Sequence, residues 1–248
     1  MHLVDYICRV AIHSGLVIAV AMPVVLVAIW HSHERRWSLL LLTALLVVLH
    51  DALILIPHLS VFARLHWSWQ ESLLATIWPF LLTAIISGVS LRSIGVSTRP
   101  RPGWLKPSLI ALLLAVAVPA VFFFLGARKR LDTEGWVFLS IMPGLAEELV
   151  YRGVFQSLLN SVFGKPWSLA NAQFGWGLFI SAILFAGTNG LVEVDSQLHG
   201  HVVLLAAIAP FLLSLVSGWV RERSDSVWPS VIGHNLSNIV IPFASLFV

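Results

Sequence analysis

The sequence contains little charge and almost no cysteine. Only 11% of its 248 residues are Asp, Glu, Lys or Arg, less than half the usual share in a soluble domain. Cys8 is the one cysteine, so no disulfide can form within the chain and the redox compartment is not indicated. Because 58% of the residues are hydrophobic, the core of a soluble fold could not bury all the apolar surface. Lipid must therefore contact much of this chain.

Several common functional motifs are also missing. The chain has no HExxH for a soluble-type zinc protease, no GxSxG nucleophile elbow and no glycine-rich phosphate loop. It has no basic stripe interleaved with aromatic residues, so nucleic acid is not an expected partner. The net charge of +3 comes mostly from Lys and Arg in short loops, which suits anionic lipid headgroups.

Long apolar runs dominate what is present. A membrane-spanning helix needs about 20 mainly apolar residues, and eight segments meet this requirement. The pattern predicts an all-α, polytopic membrane bundle of about eight transmembrane helices. The predicted spans are Val10–Trp30, Trp37–Ile56, Ser72–Leu91, Ser108–Gly126, Trp136–Leu159, Phe174–Leu191, Val202–Val220 and Val227–Phe247.

A polar connection rich in Arg, Pro and Gly interrupts the apolar runs at about residues 92–107. It divides the chain into an N-terminal three-helix membrane region, residues 1–91, and a C-terminal region, residues 108–248. The polar span residues that best fit a reaction site lie in the second region.

The fifth predicted span reads PGLAEELVYRGVF and contains three ionisable residues. Charges inside a span are costly, so an intramembrane function is the default hypothesis. Glu148 and Arg152 are four residues apart on one helical face and can pair, which is also what a purely structural salt bridge requires. Glu147 lies about 100° around the helix from Glu148 and is less neutralised. A buried carboxyl beside another carboxyl suits a general base or acid.

Two further spans carry polar groups. In WPSVIGHNLSNIV, His234 and Asn238 share a face and could bind water or a developing oxyanion, whereas the alternative is an ordinary interhelical hydrogen bond. In ILFAGTNG, Asn189 shares a face with Phe185. Asn189 precedes Gly190 near a span end, so a helix C-cap is an alternative to a role in the site.

Other polar residues give weaker indications. Asp51 follows His50 near the middle of a span and is expected to pair with a neighbouring helix. His199 and His201, near Glu193 and Asp195, could form a surface metal site, but a solvated loop explains them more simply.

The order Glu-Glu-x-x-x-Arg, Phe-x-x-x-His and His-x-x-x-Asn in separate spans is typical of the CPBP family of intramembrane proteases, the CAAX proteases and bacteriocin-processing enzymes. This chain resembles that family over about residues 135–242. The first motif is complete in Glu147, Glu148 and Arg152, and the last in His234 and Asn238. The middle motif has Asn189 where the family usually has His.

The resemblance implies an eight-helix membrane endopeptidase that uses no metal and no cofactor. Glu147 would activate the attacking water, Glu148 would pair with Arg152, and His234 and Asn238 would complete the site, with Asn238 suited to the oxyanion. An amide cannot accept a proton or serve as a good zinc ligand, so Asn189 weakens a metal mechanism and leaves loss of activity open.

These residues predict cleavage of a peptide bond near the membrane surface, in a protein tail or propeptide. The expected partners are that protein or peptide substrate and the lipid bilayer, and the expected location is a bacterial inner membrane. Two alternatives remain: a catalytically inactive scaffold or substrate-binding relative, suggested by Asn189, and a proton-coupled transporter, suggested by the buried acids. The transporter is disfavoured because the chain has no internal repeat.

Overall fold

The computed structural model describes residues 3–32, 36–57, 59–62 and 64–247, and this part of the chain is mainly helical. Each of the eight predicted spans overlaps a helix, although the bounds differ. The α-helices are α1 Leu3–His31, α2 Trp37–Ile54, α3 Trp69–Ile85, α4 Leu105–Phe124, α5 Thr133–Glu148, α6 Gln156–Phe163, α7 Trp176–Ala186, α8 Leu204–Ser224 and α9 Trp228–Ala244.

Two π-helical segments and two small hairpins interrupt the α-helices. The first π segment, Leu149–Phe155, joins α5 to α6 as one continuous helical rod, and the second, Gly187–Leu191, extends α7. Strands β1 Trp167–Leu169 and β2 Ala172–Phe174 pair antiparallel, as do β3 Val192–Val194 and β4 Gly200–Val202. Short 3-10 turns cover Ser60–Phe62 and Ser245–Phe247.

Five described helices are long and apolar enough to cross a membrane: α1, α2, α4, α8 and α9. The other predicted spans are shorter helices or are split by a π segment, so a count of eight spans is not confirmed. Leu113 and Leu114 on α4 and Leu204 and Leu205 on α8 are more than 60% exposed. Such apolar surface, together with the apolar helices, identifies an integral membrane protein.

The N-terminal helices and the C-terminal helices share one hydrophobic core. Val17 and Ala28 of α1, Val47 of α2 and Trp78 of α3 belong to the same buried cluster as Val154 of the first π segment. Helix α3 packs along α5, and α2 packs along α6. The three N-terminal helices therefore pack as one body with the rod that carries the acidic residues.

The Arg- and Pro-rich connection folds against the junction of α8 and α9. The Val227 amide donates to the Gly95 carbonyl, and the Arg101 amide donates to the Ser224 carbonyl. Gly95 has a φ of 76°, and a Cβ there would overlap the Arg221 side chain. Only glycine combines this backbone conformation with so close an approach.

Candidate active site

The two glutamates lie where α5 changes into the first π segment. Asp132 caps the start of α5 by accepting from the Gly135 amide at 2.7 Å. The Glu134 carboxylate accepts from the His66 amide and from the Trp69 indole, both at 3.0 Å. These bonds fasten the start of α5 to the loop before α3 and to the first residue of α3. The register of α5 against α3 follows from them.

The wider π turn begins directly after Glu148 and contains Arg152. π-helical insertions are rare and occur often at functional sites. Every residue of the segment is buried, and Gly153 allows close packing, because a Cβ at that position would lie 3.1 Å from the Ile94 carbonyl oxygen. The connection between the two chain regions therefore presses directly on the segment that holds Arg152.

Glu148 and Arg152 form the predicted ion pair. The Arg152 Nε lies 3.2 Å from Glu148 Oε2, and the two side chains are 0% and 1% exposed. The guanidinium also stacks over the Phe185 ring, 5.1 Å from its centroid. A buried pair of this kind neutralises both charges, and loss of either member leaves an uncompensated charge in a dry interior.

His234 of α9 connects the two acids. Its Nδ1 lies 2.9 Å from Glu148 Oε1, and its Nε2 lies 3.8 Å from Glu147 Oε2. The ring meets Phe185 edge-on, with centroids 5.9 Å apart. Glu148 thus orients the imidazole and leaves the second ring nitrogen facing Glu147.

Glu147 is the acid that reaches open space. Its side chain is 27% exposed, whereas that of Glu148 is 1% exposed. Glu147 lines a cavity of about 230 Å³, which we call the main cavity. Its other lining residues are His50, Ile54, Ser68, Glu71, Ser72, Ala75, Ala146, Tyr151, Thr188 and Asn189. Helices α2 and α3 therefore contribute to the wall of this cavity.

Asn238 lies in a different space. With Glu148, Arg152 and His234 it lines a cavity of about 30 Å³, which is room for about two water molecules. Asn238 and His234 do share a helical face, as predicted. The structure nevertheless brings Asn238 to the ion pair and not to the main cavity that Glu147 lines.

Asn189 borders the main cavity, but its side chain is used locally. The Asn189 Nδ2 donates to the Phe185 carbonyl at 3.1 Å, and Gly190, with a φ of 145°, precedes Leu191, the last residue of the second π segment. The C-cap of that segment is Val192, so Asn189 is not the cap, and its side chain bonds to the carbonyl one turn earlier. In the described chain no hydrogen bond joins Asn189 to Glu147.

Asn235, next to His234, is a structural residue whose contacts the sequence did not reveal. It accepts from the Gly144 amide at 2.7 Å and donates to the Ile141 carbonyl at 3.1 Å. Pro143 disturbs the hydrogen bonding of α5 at this point, and the amide of α9 supplies partners. The signal in the sequence was Pro143 followed by Gly144, a proline–glycine pair inside a predicted span.

A second cluster of buried polar residues connects α6, α8 and the loop before β1. Glu222 accepts from Gln156 and Asn160, both at 2.7 Å, and pairs with Lys165 at 2.5 Å. Glu222 is 4% exposed. This cluster fixes α8 against the rod that carries the acids, and it lies outside both cavities.

Two predictions about the remaining polar residues have clear outcomes. Asp51 pairs with a neighbouring helix, as expected, since its Oδ2 lies 2.8 Å from His13 Nδ1 on α1. His199 and His201 both contact Asp195 Oδ2, at 3.3 and 3.4 Å, at an exposed turn. Hydrogen bonds to the carboxylate, chiefly from the His199 amide, lower the pKa of Asp195 to about 2.

One exposed group in the described chain has ligand atoms close enough together for a metal ion: His66, Asp132 and Glu134. Both carboxylates already accept hydrogen bonds from backbone amides, Asp132 at the cap of α5 and Glu134 at the loop before α3. These bonds explain why the three side chains lie together: they connect the start of α5 to the loop before α3.

Comparison with known proteins agrees with this geometry. Residues 130–240 match the family model described as type II CAAX prenyl endopeptidase Rce1-like. This match, over less than half of the chain, supports the resemblance to the CPBP family. The matched region contains all six predicted site residues, so the CPBP resemblance and the cluster of acids and histidine concern the same part of the chain.

A curated protein also matches at low identity. It is the undecaprenyl phosphate-alpha-4-amino-4-deoxy-L-arabinose arabinosyl transferase of Erwinia tasmaniensis, 26% identical over 95% of this chain. The chain spans 46% of that protein's length. No solved structure matches. The family match leaves α1, α2 and α3 outside its bounds, and α2 and α3 form part of the main cavity wall.

Proposed function

We propose that this protein is a CPBP-family intramembrane endopeptidase that hydrolyses a peptide bond in a protein tail or propeptide. One observation carries the proposal: two adjacent carboxylates have different surroundings. Glu148 is buried against Arg152, whereas Glu147 faces the main cavity beside His234. Pairs of acids in unequal environments are a common basis for a division of catalytic roles.

In this proposal Glu147 is the general base. Its carboxylate takes a proton from a water in the main cavity while the water oxygen bonds to the scissile carbonyl carbon, and the carbonyl electron pair moves to its oxygen. As the tetrahedral intermediate collapses, the carbon–nitrogen bond breaks and Glu147 gives the proton to the leaving amine. The acid thus returns to its starting form.

Glu148, Arg152 and His234 act as a positioning unit. The ion pair holds the Glu148 carboxylate, which accepts from His234 Nδ1 and leaves His234 Nε2 directed at Glu147. His234 can then bind the attacking water together with Glu147. An oxyanion role for Asn238 would require the scissile carbonyl to reach the smaller cavity, which Asn238 lines.

The position of the cavity supports a membrane-proximal protein segment as the substrate. Its lining includes Ser68, Glu71 and Ser72 at the N-cap and first turn of α3, so part of the cavity lies at one end of that helix. A membrane-proximal tail can reach such an opening from the interface. We propose a bacterial plasma membrane as the location, with protein or peptide substrates and no nucleic acid.

An inventory of cleaved membrane proteins tests this function. Wild type and Glu147→Gln are expressed in a bacterial host, and mass spectrometry records new protein termini in the membrane fraction. Termini that appear with wild type and disappear with Glu147→Gln support the proposal. Glu193→Gln is the matched control, because Glu193 is an exposed acid in strand β3. Equal inventories for wild type and Glu147→Gln would contradict the proposal.

A catalytically inactive binding protein is the second candidate, and the bond between the Asn189 amide and the Phe185 carbonyl favours it. If this candidate is right, wild type produces no Glu147-dependent termini and Asn189→His gains them. Activity of wild type removes this candidate.

A further inference from the structure

The main cavity is completed by residues from outside the region that matches the CPBP family. His50 comes from α2, and Ser68, Glu71 and Ser72 come from the N-cap and first turn of α3; all four line the same cavity as Glu147. Among the described lining residues of this cavity, His50 is the one imidazole. A buried histidine that lines the same cavity as a proposed general base is a candidate for a chemical role.

His50 is buried without the partners that buried imidazoles usually have. The residue is 3% exposed, and its Nδ1 has no hydrogen-bond partner in the described chain. An unpaired buried polar group costs free energy, and native proteins retain few of them. The side chain is therefore poorly explained as a packing residue alone.

The neighbouring acid does not explain His50 either. Asp51 follows it in sequence but lies 2.8 Å from His13 on α1. This Asp51–His13 contact fixes α2 against α1 and so fixes the position of His50. Three aromatic rings then hold the imidazole: Tyr151 at 5.6 Å, Trp78 at 6.2 Å and Phe155 at 6.3 Å between centroids.

Several polar side chains that line the main cavity are not available as hydrogen-bond donors. The Asn189 amide is committed to the Phe185 carbonyl, the Thr188 hydroxyl donates to the Leu184 carbonyl, and the Tyr151 hydroxyl oxygen is fully buried. Asn238 lines the smaller cavity. Hydrolysis next to Glu147 nevertheless requires a donor where the carbonyl oxygen becomes negative.

We propose that His50 is a catalytic residue of the Glu147 site and that its Nε2–H donates a hydrogen bond to the developing oxyanion. A neutral imidazole carries one N–H, and a proton on Nε2 leaves the partnerless Nδ1 as an unprotonated acceptor. No proton is transferred by His50: it stabilises the oxyanion formed when the Glu147-activated water adds, and it is unchanged when the carbon–nitrogen bond breaks. This inference rests on the proposed endopeptidase function.

The test compares two substitutions of His50 in the purified full chain in detergent. His50→Phe fills the space among the three aromatic rings without a polar hydrogen-bond donor, and His50→Gln keeps a donor on a flexible side chain. The probe is a quenched-fluorescent peptide ending in an S-farnesylated Cys followed by Val-Ile-Met. His31→Phe is the control, because His31 is an exposed imidazole whose ring lies 6.0 Å from that of Trp176 and outside the main cavity.

Loss of one oxyanion donor typically lowers kcat about 10²- to 10³-fold. We expect that loss for His50→Phe, with KM within about twofold, and about a tenfold recovery for His50→Gln relative to His50→Phe. His31→Phe should retain the wild-type kcat. An unchanged Tm for His50→Gln, with a reduced kcat, separates this role from a purely structural one.

The outcomes separate this inference from the function on which it rests. If Glu147→Gln abolishes cleavage but both His50 variants keep the wild-type kcat, the inference is wrong and the endopeptidase proposal stands. If wild type cleaves neither the farnesylated peptide nor any host membrane protein, or cleaves independently of Glu147, both are overturned.

Discussion

At the scale of single residues, the site depends on how unequally two neighbouring glutamates are neutralised. Helix spacing alone predicted the Glu148–Arg152 pair and left Glu147 without a partner on its own helix. It could not predict which cavity each side chain enters, because that depends on where α9 and α2 pack. Asn189 and Asn238 show the same limit: their residue types suggested chemistry, but tertiary packing decides which groups share a space.

The buried ion pair gives the first prediction. Arg152→Met leaves the Glu148 charge buried and uncompensated, which typically costs about 3–5 kcal/mol. Glu148→Leu combined with Arg152→Met removes both charges and should be more stable than Arg152→Met alone. Unfolding by SDS in mixed micelles measures the difference. A double variant less stable than the single one would show that the pair contributes more than mutual neutralisation.

At the scale of elements, the contact between α5 and α9 positions His234 beside the acids. The predicted spans located both helices, and Pro143 with Gly144 marked a weak point in α5. Asn235 could not be identified as the partner, because the sequence does not show which face of α9 packs against α5. A Cβ at Gly144 would lie 2.6 Å from Asn235 Oδ1, so this contact requires glycine.

Asn235→Ala is therefore expected to destabilise the protein. It leaves the Gly144 amide and the Ile141 carbonyl without their partners, and each unsatisfied buried group costs about 1–3 kcal/mol. Asn238→Ala is the matched control, an amide half-buried one turn further along α9, and should have a smaller effect on SDS-induced unfolding. Equal losses of stability for the two variants would refute a special role for Asn235.

The β3–β4 hairpin carries a pH dependence of its own. The pKa of Asp195 is lowered from 3.8 to about 2, so its stabilising contribution is complete above about pH 3.8 and is lost as the pH falls through about 2. Carbon-13 NMR of the Asp195 carboxyl group should show this titration. In Asp195→Asn the amide signals of Gln197 and His199, which donate to this carboxylate, should show no transition in that range. A midpoint near 4 in the wild type would contradict the expectation.

At the scale of the whole molecule, the sequence predicted a membrane bundle and a boundary at residues 92–107, but the two regions share a core. Hydropathy identifies apolar helices without showing which of them pack together. The main cavity has walls from both regions, since His50 and Glu147 both line it.

A fragment of residues 108–248 should therefore fail to fold. It lacks α1, α2 and α3, and their loss exposes core residues such as Val154 and Phe155. Size-exclusion chromatography in detergent should show aggregated or degraded fragment, whereas the full chain elutes as a single species. A monodisperse fragment with Glu147-dependent cleavage would contradict a shared core.

The central claim is that Glu147 activates water for peptide-bond hydrolysis, and the most direct measurement is the kcat of Glu147→Gln on the farnesylated peptide. An amide cannot take the proton from water, and loss of a general base typically lowers the rate about 10²- to 10⁴-fold. We expect that loss with an unchanged elution profile, and a wild-type rate for Glu193→Gln. A folded Glu147→Gln protein with the wild-type kcat would contradict the claim.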